Sequence, residues 1–314
     1  MYTTTKLRRS FACVALTLLP LAAVASEDVA TLTIVEGGNA IVTSGRSYLA
    51  AEGMHLASCD VVQTESGGRM QFEMVNGTRI ELGPDSRFLA AVPGGRGGQA
   101  TTGPHFLLSG WLKLTVPQSD KGTYRVNTGL ADLVVSSGVV VMHAEADMAQ
   151  FFVERGEAVA VAVGRGANEV TLVASRMYSR KSGSKDGEVS GRPNSEFLAA
   201  MPRSFRDTLP SRLAVAAALN PTPEPGPQVG LKDLQDWFRG DPEPRRCLLP
   251  TLIHSAQQAL EVKGFDIGPI DGLLGPRTQA ALRAFQAQQG LRQSGKLDDQ
   301  TIGALNLANG RAGN

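Results

Sequence analysis

The chain has few of the residues from which catalytic and metal sites are usually built. Its 314 residues include three cysteines and four histidines, and aromatic residues make up 5%. The histidines are His55, His105, His143 and His254, and no HxxEH, CxxC or G-x-S-x-G pattern surrounds them or any other residue. The sequence therefore predicts no catalytic residue, no metal site and no cofactor.

One cysteine and one histidine do lie close together, at His55 and Cys59. A Cys–His pair can form an activated nucleophile when the histidine removes the thiol proton. These two residues fall in a segment predicted as strand and turn, with no second histidine and no glycine-rich elbow around the cysteine. We therefore expect both to be structural residues.

Long apolar runs are also scarce, and the one clear example lies at the N-terminus. Lys6, Arg8 and Arg9 precede an apolar stretch over residues 11–25 that ends in Ala23-Val24-Ala25. A basic start, a short apolar run and small residues at its end are typical of a secretory signal peptide. We predict a signal peptide over residues 1–25, with an uncleaved anchor as the alternative. No other run is long enough to span a membrane.

The charge that remains after cleavage favours neither nucleic acid nor anionic lipid. Residues 26–314 hold 28 basic and 30 acidic residues, and binding to such polyanions usually requires a basic surface. We therefore expect no nucleic-acid partner and no membrane anchor after cleavage. Two cysteines remain, Cys59 and Cys247. An exported protein could join them in a disulfide, keep two thiols or form an intermolecular bridge.

The region from residue 30 to residue 175 alternates short β-branched runs with glycine and polar turns, which is typical of strands. Asn76-Gly77 between two alternating runs is a strong hairpin signal. Many short strands of this kind predict an all-β sandwich or roll over residues 26–180. The predicted strands are Leu32–Gly37, Gln71–Val75, Thr78–Leu82, Trp111–Val116, Tyr124–Asn127, Leu133–Val135, Val139–His143, Phe151–Glu154 and Ala158–Val163.

This half resembles the FecR-like periplasmic domain. The matching segments are Gly53–Leu56, Asp60–Thr64, Ser66–Met70, Asn76–Ser86 and a Glu-Arg-Gly-Glu turn at Glu154–Glu157. Cys59 stands where the family often has glycine. The resemblance implies a periplasmic β domain that contacts a protein partner, here an unidentified periplasmic or membrane protein. Ten residues precede the apolar run, so we expect no cytoplasmic tail and no anti-sigma role.

Residues 181–230 are predicted to connect two domains. Lys181–Asn194 is rich in serine, glycine and charge, which predicts a flexible segment. Ser195–Leu219 carries apolar residues at helical spacing interrupted by proline, so short packed helices are expected there. Pro221–Pro227 predicts a semi-rigid polyproline spacer. A short helix is expected at Leu231–Arg239, near the C-terminal domain.

Residues 231–314 predict a small all-α domain with three main helices. The first covers Leu249–Val262 and ends near Gly264, which can adopt a positive φ at low cost. The second starts at Pro276, where the missing N–H is no loss, and ends by Gly290. Asp298 is placed to cap the third.

The same residues resemble the peptidoglycan-binding domain of bacterial cell-wall enzymes and envelope proteins. The resemblance is carried by Gly264–Thr278, Ala284-Phe285-Gln286, Gly290-Leu291, Gly295–Asp298 and Thr301. It implies that murein binds in a shallow groove beside the start of the second helix. Asp271 and Gly272 could equally serve to shape their turn, and Leu282 and Phe285 are expected in the core. The ligand-binding residues that the resemblance implies are Asp271, Gly272, Arg277, Thr278 and Gln286.

Together these features predict a non-enzymatic protein of the Gram-negative periplasm. Its helical domain would bind peptidoglycan while its β domain engages a protein, and the connector would set the reach between them. Two alternatives remain open from the sequence. The helical domain could bind protein within an envelope complex, or an unrecognised active site, such as a pair of carboxylates, could lie in the β domain.

Overall fold

The computed structural model describes most of the chain, from residue 28 to residue 307. The predicted signal peptide over residues 1–25 lies outside the described residues, so its cleavage stays a prediction. No helix among the described residues is both long enough and apolar enough to cross a membrane. The described ranges are 28–43, 46–91, 104–118, 122–164, 168–207, 209–229, 231–238 and 244–307.

The first part of the described chain is β-rich and the last part is helical, as the sequence predicts. The strands are β1 Asp28–Glu36, β2 Ala40–Thr43, β3 Arg46–Leu49, β4 His55–Ala57, β5 Val61–Gln63, β6 Arg69–Glu73, β7 Arg79–Leu82, β8 Arg87–Leu89, β9 His105–Val116, β10 Tyr124–Asn127, β11 Ala131–Ala144, β12 Met148–Ala162, β13 Glu169–Val173, β14 Met177–Lys181 and β15 Glu188–Ser190. The α-helices are α1 Ser195–Ala200, α2 Leu213–Ala216, α3 Leu231–Trp237, α4 Leu248–Val262, α5 Pro276–Gln288 and α6 Asp299–Ala304.

The strands form one branched sheet whose main path runs β15-β14-β12-β11-β10-β9-β7-β6-β1-β4. A second branch leaves β9 through β8 and β5 to β2 and β3. The long strand β9 pairs with β8 along its first half and with β7 along its second half. The two branches enclose an apolar core that includes Leu32, Phe72, Phe88 and Phe151. This arrangement confirms the predicted β-rich domain.

The predicted hairpin at Asn76-Gly77 is present between β6 and β7. Gly77 has a φ of +86°, a conformation that glycine adopts without steric cost. Its N–H donates to the Met74 carbonyl at 2.9 Å. The turn sets the register in which Glu73 faces Arg79.

One predicted strand break and one predicted turn lie inside long strands, and the sequence-based interpretation there was wrong. The runs expected as separate strands around Gly138 join into β11, and those around the Glu154–Glu157 turn join into β12. Gly138 and Gly156 face each other across these strands with φ values of +124° and +83°. A Cβ on Gly138 would lie 2.1 Å from the Arg155 carbonyl oxygen. The glycines therefore permit an irregular pairing instead of a reversal of the chain.

His105, at the start of β9, is fully buried against Phe88, with ring centroids 5.5 Å apart. Its Nδ1 accepts a hydrogen bond from the Ala91 N–H at 3.1 Å. Burial lowers the pKa of His105 from 6.5 to about 4, because a charged imidazole is poorly solvated there. The side chain is therefore neutral in the folded protein at neutral pH.

Because His105 is buried and neutral, we expect the folded protein to be destabilised by acid. The unfolded chain protonates His105 near pH 6.5 and the folded chain near pH 4, so its stabilising effect is complete above pH 6.5 and is lost as pH falls toward 4. Because of His105, we expect the free energy of unfolding to fall by about 2.5 kcal/mol between pH 7.5 and pH 4.5. Urea denaturation at both pH values measures this. In a His105→Asn variant, Oδ1 can replace Nδ1 as the acceptor, and the acid-induced loss of unfolding free energy should be smaller than in the wild type by about 2.5 kcal/mol. A variant with the same pH dependence as the wild type would contradict the role assigned to His105.

The connector lies against the β domain along much of its length. Phe197 and Phe205 are buried in an apolar cluster with Trp111 and Met177 of the sheet. The first stretch, 181–194, was expected to be flexible, yet it contains β15, which pairs with β14. The short helices predicted after it are present as α1, a 3-10 turn and α2.

A buried carboxylate, Glu73 on β6, holds the middle of the connector. It accepts hydrogen bonds from the Ser211 hydroxyl at 2.5 Å and from the Arg212 N–H at 2.9 Å. Arg212 also forms an ion pair with Glu52 at 3.2 Å. Lys113 donates to the Phe205 carbonyl oxygen. Side chains of the sheet thus bind backbone groups of the connector that would otherwise need water.

The proline-rich segment, expected to be a semi-rigid spacer, lies along the edge strand β3. The Leu49 N–H donates to the Glu224 carbonyl and the Gly226 N–H donates to the Ser47 carbonyl, both at 2.9 Å. Between them Pro225 forms a bridge with Tyr48. Proline lacks an N–H, so it is tolerated where only its neighbours need to pair, at the edge of a sheet. The segment is therefore an added edge of the β domain.

The C-terminal helices confirm the predicted three-helix module. α4 is followed by Gly264, with a φ of +83°, and α5 begins at Pro276. Asp298 caps α6 by accepting the Thr301 N–H at 2.9 Å. Leu282 and Phe285 lie in the core of the module, as expected.

A disulfide joins Cys59 of the β domain to Cys247, the residue before α4. This resolves the alternatives that the sequence left open in favour of an intramolecular bridge. α3 lies beside the bridge, and Trp237 at its end packs against Arg87 of β8, whose guanidinium carbon is 4.4 Å from the ring centroid. The helical module is therefore attached directly to the β domain.

Candidate functional site

Two buried glutamines organise the loops of the helical module. Gln257 on α4 and Gln286 on α5 are 1% and 0% exposed. A primary amide has two donors and an acceptor oxygen, so one side chain can bind several backbone groups at once. Each glutamine uses this capacity to fasten the loop that follows its own helix.

Gln257 fastens the loop between α4 and α5. Its Oε1 accepts from the N–H groups of Asp271 and Gly272 at 3.1 and 2.8 Å. Its Nε2 donates to the Asp271 carboxylate at 2.9 Å and the Leu273 carbonyl at 3.1 Å. The same nitrogen lies 3.1 Å from the Thr278 hydroxyl. One side chain therefore fixes both the loop and the start of α5.

Gln286 repeats the arrangement between α5 and α6. Its Oε1 accepts from the Gly295 N–H at 2.9 Å, and its Nε2 donates to the Lys296 carbonyl and the Thr301 hydroxyl, each at 2.9 Å. In both loops the bound glycine has a positive φ, and the bound threonine comes six residues later. The module is thus built from two similar glutamine–glycine–threonine units.

The five ligand-binding residues that the resemblance implied fall into a buried group and a surface group. Thr278 is 2% exposed and Gln286 is fully buried, so both polar side chains serve the loops and neither lies at the surface. Their burial differs from the expectation that Thr278 and Gln286 contact the ligand. Gln257 was not among the predicted residues, although its position on the inner face of α4 could have indicated a buried polar residue.

The remaining three residues lie between the end of the loop and the first turn of α5. Gly272 is buried beneath the surface, with Asp271 and Arg277 exposed beside it. A Cβ on Gly272 would lie 3.1 Å from the Pro250 carbonyl oxygen, so the loop packs tightly on the first turn of α4. Leu273 adds an apolar side chain that is 64% exposed. We call Asp271, Leu273 and Arg277 the loop surface.

The electrostatics of the loop surface favour an ionised Asp271. The hydrogen bond from Gln257, together with that from the Leu273 N–H, lowers the pKa of Asp271 below its usual value, since both bonds stabilise the carboxylate. Beneath the loop, burial lowers the pKa of His254; the nearby charge of Arg46 on β3 adds to this effect, while Asp271 opposes it. The loop surface therefore presents an anion and an apolar group in the loop, and a cation in the first turn of α5.

A cavity of about 440 Å³ lies elsewhere, between the sheet and the end of α1. Trp111 and His143 stack in its wall with ring centroids 4.1 Å apart. The imidazole nitrogens lie 3.5 Å from Gln150 Oε1 and 3.4 Å from Glu145 Oε1, and burial is the main cause that lowers the pKa of His143. The ring is thereby held as part of the wall. The cavity is lined by Pro84, Asp85, Ser109, Gly110, Trp111, His143, Ala144, Glu145, Ala200 and Pro202.

The Cys–His pair and possible metal ligands are also placed by the structure. Cys59 is bonded to Cys247 and has no thiolate to offer. His55 lies 3.3 Å from the Thr31 hydroxyl. Among the described residues, no group of three or more His, Cys, Asp or Glu side chains is placed to hold a metal ion.

Comparison with known families agrees with both resemblances. The family model described as "Putative peptidoglycan binding domain" matches residues 251–305, and the model "FecR protein" matches residues 60–165. The chain thus carries a FecR-type domain followed by a peptidoglycan-binding-type domain. Both are families of non-enzymatic kinds, and both fit a protein of the bacterial envelope. None of the curated proteins matches the chain.

Two similar solved structures, at 2.50 Å and 1.65 Å resolution, are of a "putative anti-sigma factor" from Parabacteroides distasonis ATCC 8503. Each is 13% identical to this chain over 44% of its length, with TM-scores of 0.37 and 0.36. The chain spans 62% and 63% of those proteins. Similarity at this level carries no argument about function.

Proposed function

We propose that this protein is a non-enzymatic component of the periplasm that binds peptidoglycan through its helical module and a protein partner through its β domain. The observation that carries the proposal is the loop surface within the segment that matches the peptidoglycan-binding family. Murein offers sugar hydroxyls and stem-peptide carboxylates. Arg277 can bind a carboxylate, Asp271 can accept from hydroxyls or amides, and Leu273 can pack on an apolar sugar face.

The rigidity of the loop supports this assignment. Gln257 holds the backbone on both sides of Asp271, so the loop surface is formed before any ligand arrives. A preformed surface loses little conformational entropy on binding. A single module of this size still binds weakly, and the high local concentration of an insoluble polymer compensates for that weakness.

Replacing Arg277 with alanine is expected to weaken retention on purified sacculi by about tenfold, because a charge-assisted hydrogen bond contributes on the order of 1.5 kcal/mol. Co-sedimentation of the full chain over a range of sacculus concentrations measures this. Arg292→Ala is the matched control: Arg292 is also exposed but lies beyond the other end of α5, about 20 Å away along the helix. Equal losses in the two variants would show that the loop surface is not the contact.

The two alternatives give different results in the same assays. If the module binds protein within an envelope complex, the wild-type chain will stay in the supernatant with sacculi. If the β domain holds an active site, incubation with muropeptides will yield new products. We expect retention on sacculi and unchanged muropeptides, because the matched families are of non-enzymatic kinds.

A further inference from the structure

Cys59 occupies a backbone conformation that suits glycine better than cysteine. It lies in the turn from Ala57 to Asp60, where the Ala57 N–H donates to the Asp60 carboxylate at 2.8 Å. Its φ is +71°, in the left-handed region that side chains with a Cβ disfavour. A cysteine placed there at an energetic cost indicates that its sulfur has a role of its own.

That sulfur reaches the segment that leads directly into α4. Cys247 ends the 3-10 turn Pro244–Cys247, directly before α4, and lies 188 residues from Cys59 in sequence. The two Cα atoms are 5.2 Å apart, a normal spacing for a disulfide. The bridge therefore fixes the residue that precedes α4 to a turn of the β domain.

The non-covalent contact around the bridge is mainly apolar. We call it the junction. Apart from the bridge, it consists mainly of a few apolar side chains from each side and of the Trp237 ring against Arg87. Its buried apolar members are Val42, Val61, Leu89 and Phe106 from the β domain and Leu234, Phe238, Cys247 and Leu248 from the C-terminal part.

The helical module has its own core on the far side of the junction. Ala256, Leu260, Leu282 and Phe285 are buried together there, and the Gln257 and Gln286 hydrogen bonds lie entirely within the module. Leu252 of α4 packs against both this core and the junction. Because every buried member of this core belongs to the module, we expect the core to persist when the module separates from the β domain.

From these observations we infer that the Cys59–Cys247 disulfide is a redox-controlled clamp: oxidised, it fixes the helical module on the β domain, and reduced, it releases the module on its connector. A dithiol reductant attacks the bridge at Cys59, which is only partly buried, and the S–S bond breaks. The reductant becomes a disulfide as two electrons and two protons pass to the protein, leaving two cysteine thiols. The proposal concerns the link between the domains and does not depend on what the module binds.

The two tryptophans provide a direct test. Trp237 lies in the junction, whereas Trp111 is buried in the β domain between His143 and Phe197. With 5-fluorotryptophan incorporated in the full chain, ¹⁹F NMR should show one resonance for each. After addition of dithiothreitol, the Trp237 resonance should move toward the position of free fluorotryptophan, and the Trp111 resonance should stay in place.

A double variant distinguishes the effect of losing the bridge from the effect of backbone strain at residue 59. Cys59→Gly with Cys247→Ser removes the bridge while placing a glycine at the positive φ. This variant should show the released Trp237 resonance without any reductant. The inference is overturned if the Trp237 resonance is the same with and without the bridge, since the junction alone would then hold the module. It is also overturned if both resonances move, because the bridge would then support the β domain itself.

Discussion

Replacing Gln257 with alanine is expected to lower the unfolding free energy of the helical module by about 4 kcal/mol. The change leaves the N–H groups of Asp271 and Gly272 without their partner, and each buried polar group left unpaired costs about 1–3 kcal/mol. It also removes the buried methylene groups of the side chain. Such a loss approaches the whole stability of a module this small. Circular dichroism at 222 nm during urea denaturation measures it.

Gln258→Ala is the matched control for this variant. Gln258 is the next residue on α4 and is only partly buried, and no hydrogen bond to the loop depends on it within the described residues. Its replacement should change the unfolding free energy by less than 0.5 kcal/mol, as is usual for a surface position. If the two variants unfolded at the same urea concentration, the role assigned to Gln257 would be wrong.

Reduction of the Cys59–Cys247 disulfide is expected to lower the free energy of unfolding by up to about 5 kcal/mol. The bridge closes a loop of 188 residues, and in the chain-entropy model a loop of that length restricts the unfolded state by about this amount. Urea denaturation with and without dithiothreitol gives the difference.

The Cys59→Ser, Cys247→Ser double variant distinguishes the bridge from other effects of the reductant. It should unfold at the same urea concentration with or without dithiothreitol, close to the midpoint of the reduced wild type. A wild-type midpoint that does not respond to the reductant would mean that the two sulfurs are not joined in solution.

The sequence predicted best those features that depend on neighbouring residues. Pro276, Asp298 and Gly264 mark helix starts and stops through their own backbone chemistry, and the predicted helices agree with α4, α5 and α6. Asn76-Gly77 likewise determines its hairpin locally. The two domain types could be recognised because such local signals occur in a fixed order.

What the sequence did not predict depends on residues far apart in the chain. The predicted break between Leu133–Val135 and Val139–His143 is wrong because Gly138 pairs with the distant Gly156 within one continuous strand. Pro225 was predicted as part of a spacer because its pairing with the edge strand β3 cannot be seen in the local sequence. In the candidate site, Gln257 differs from any other helical glutamine only through the loop that folds over it. None of these partners is visible in a local pattern.

These contacts restrict how the helical module can move relative to the β domain. A flexible connector would let the helical module search for murein within the radius of its linker. Here the connector is bound by Glu73 and by the edge of β3, and the disulfide fixes α4. In the oxidised protein, the loop surface and the β domain should therefore keep a constant orientation, so that a partner is held at a defined position relative to the sacculus.

The most direct test of the central proposal is co-sedimentation of the intact, oxidised protein with purified sacculi before and after the sacculi are digested with a muramidase. We predict that the protein pellets with intact sacculi and returns to the supernatant once the polymer has been cut into soluble fragments. A protein that remains in the supernatant in both cases would contradict the proposal that the helical module binds peptidoglycan.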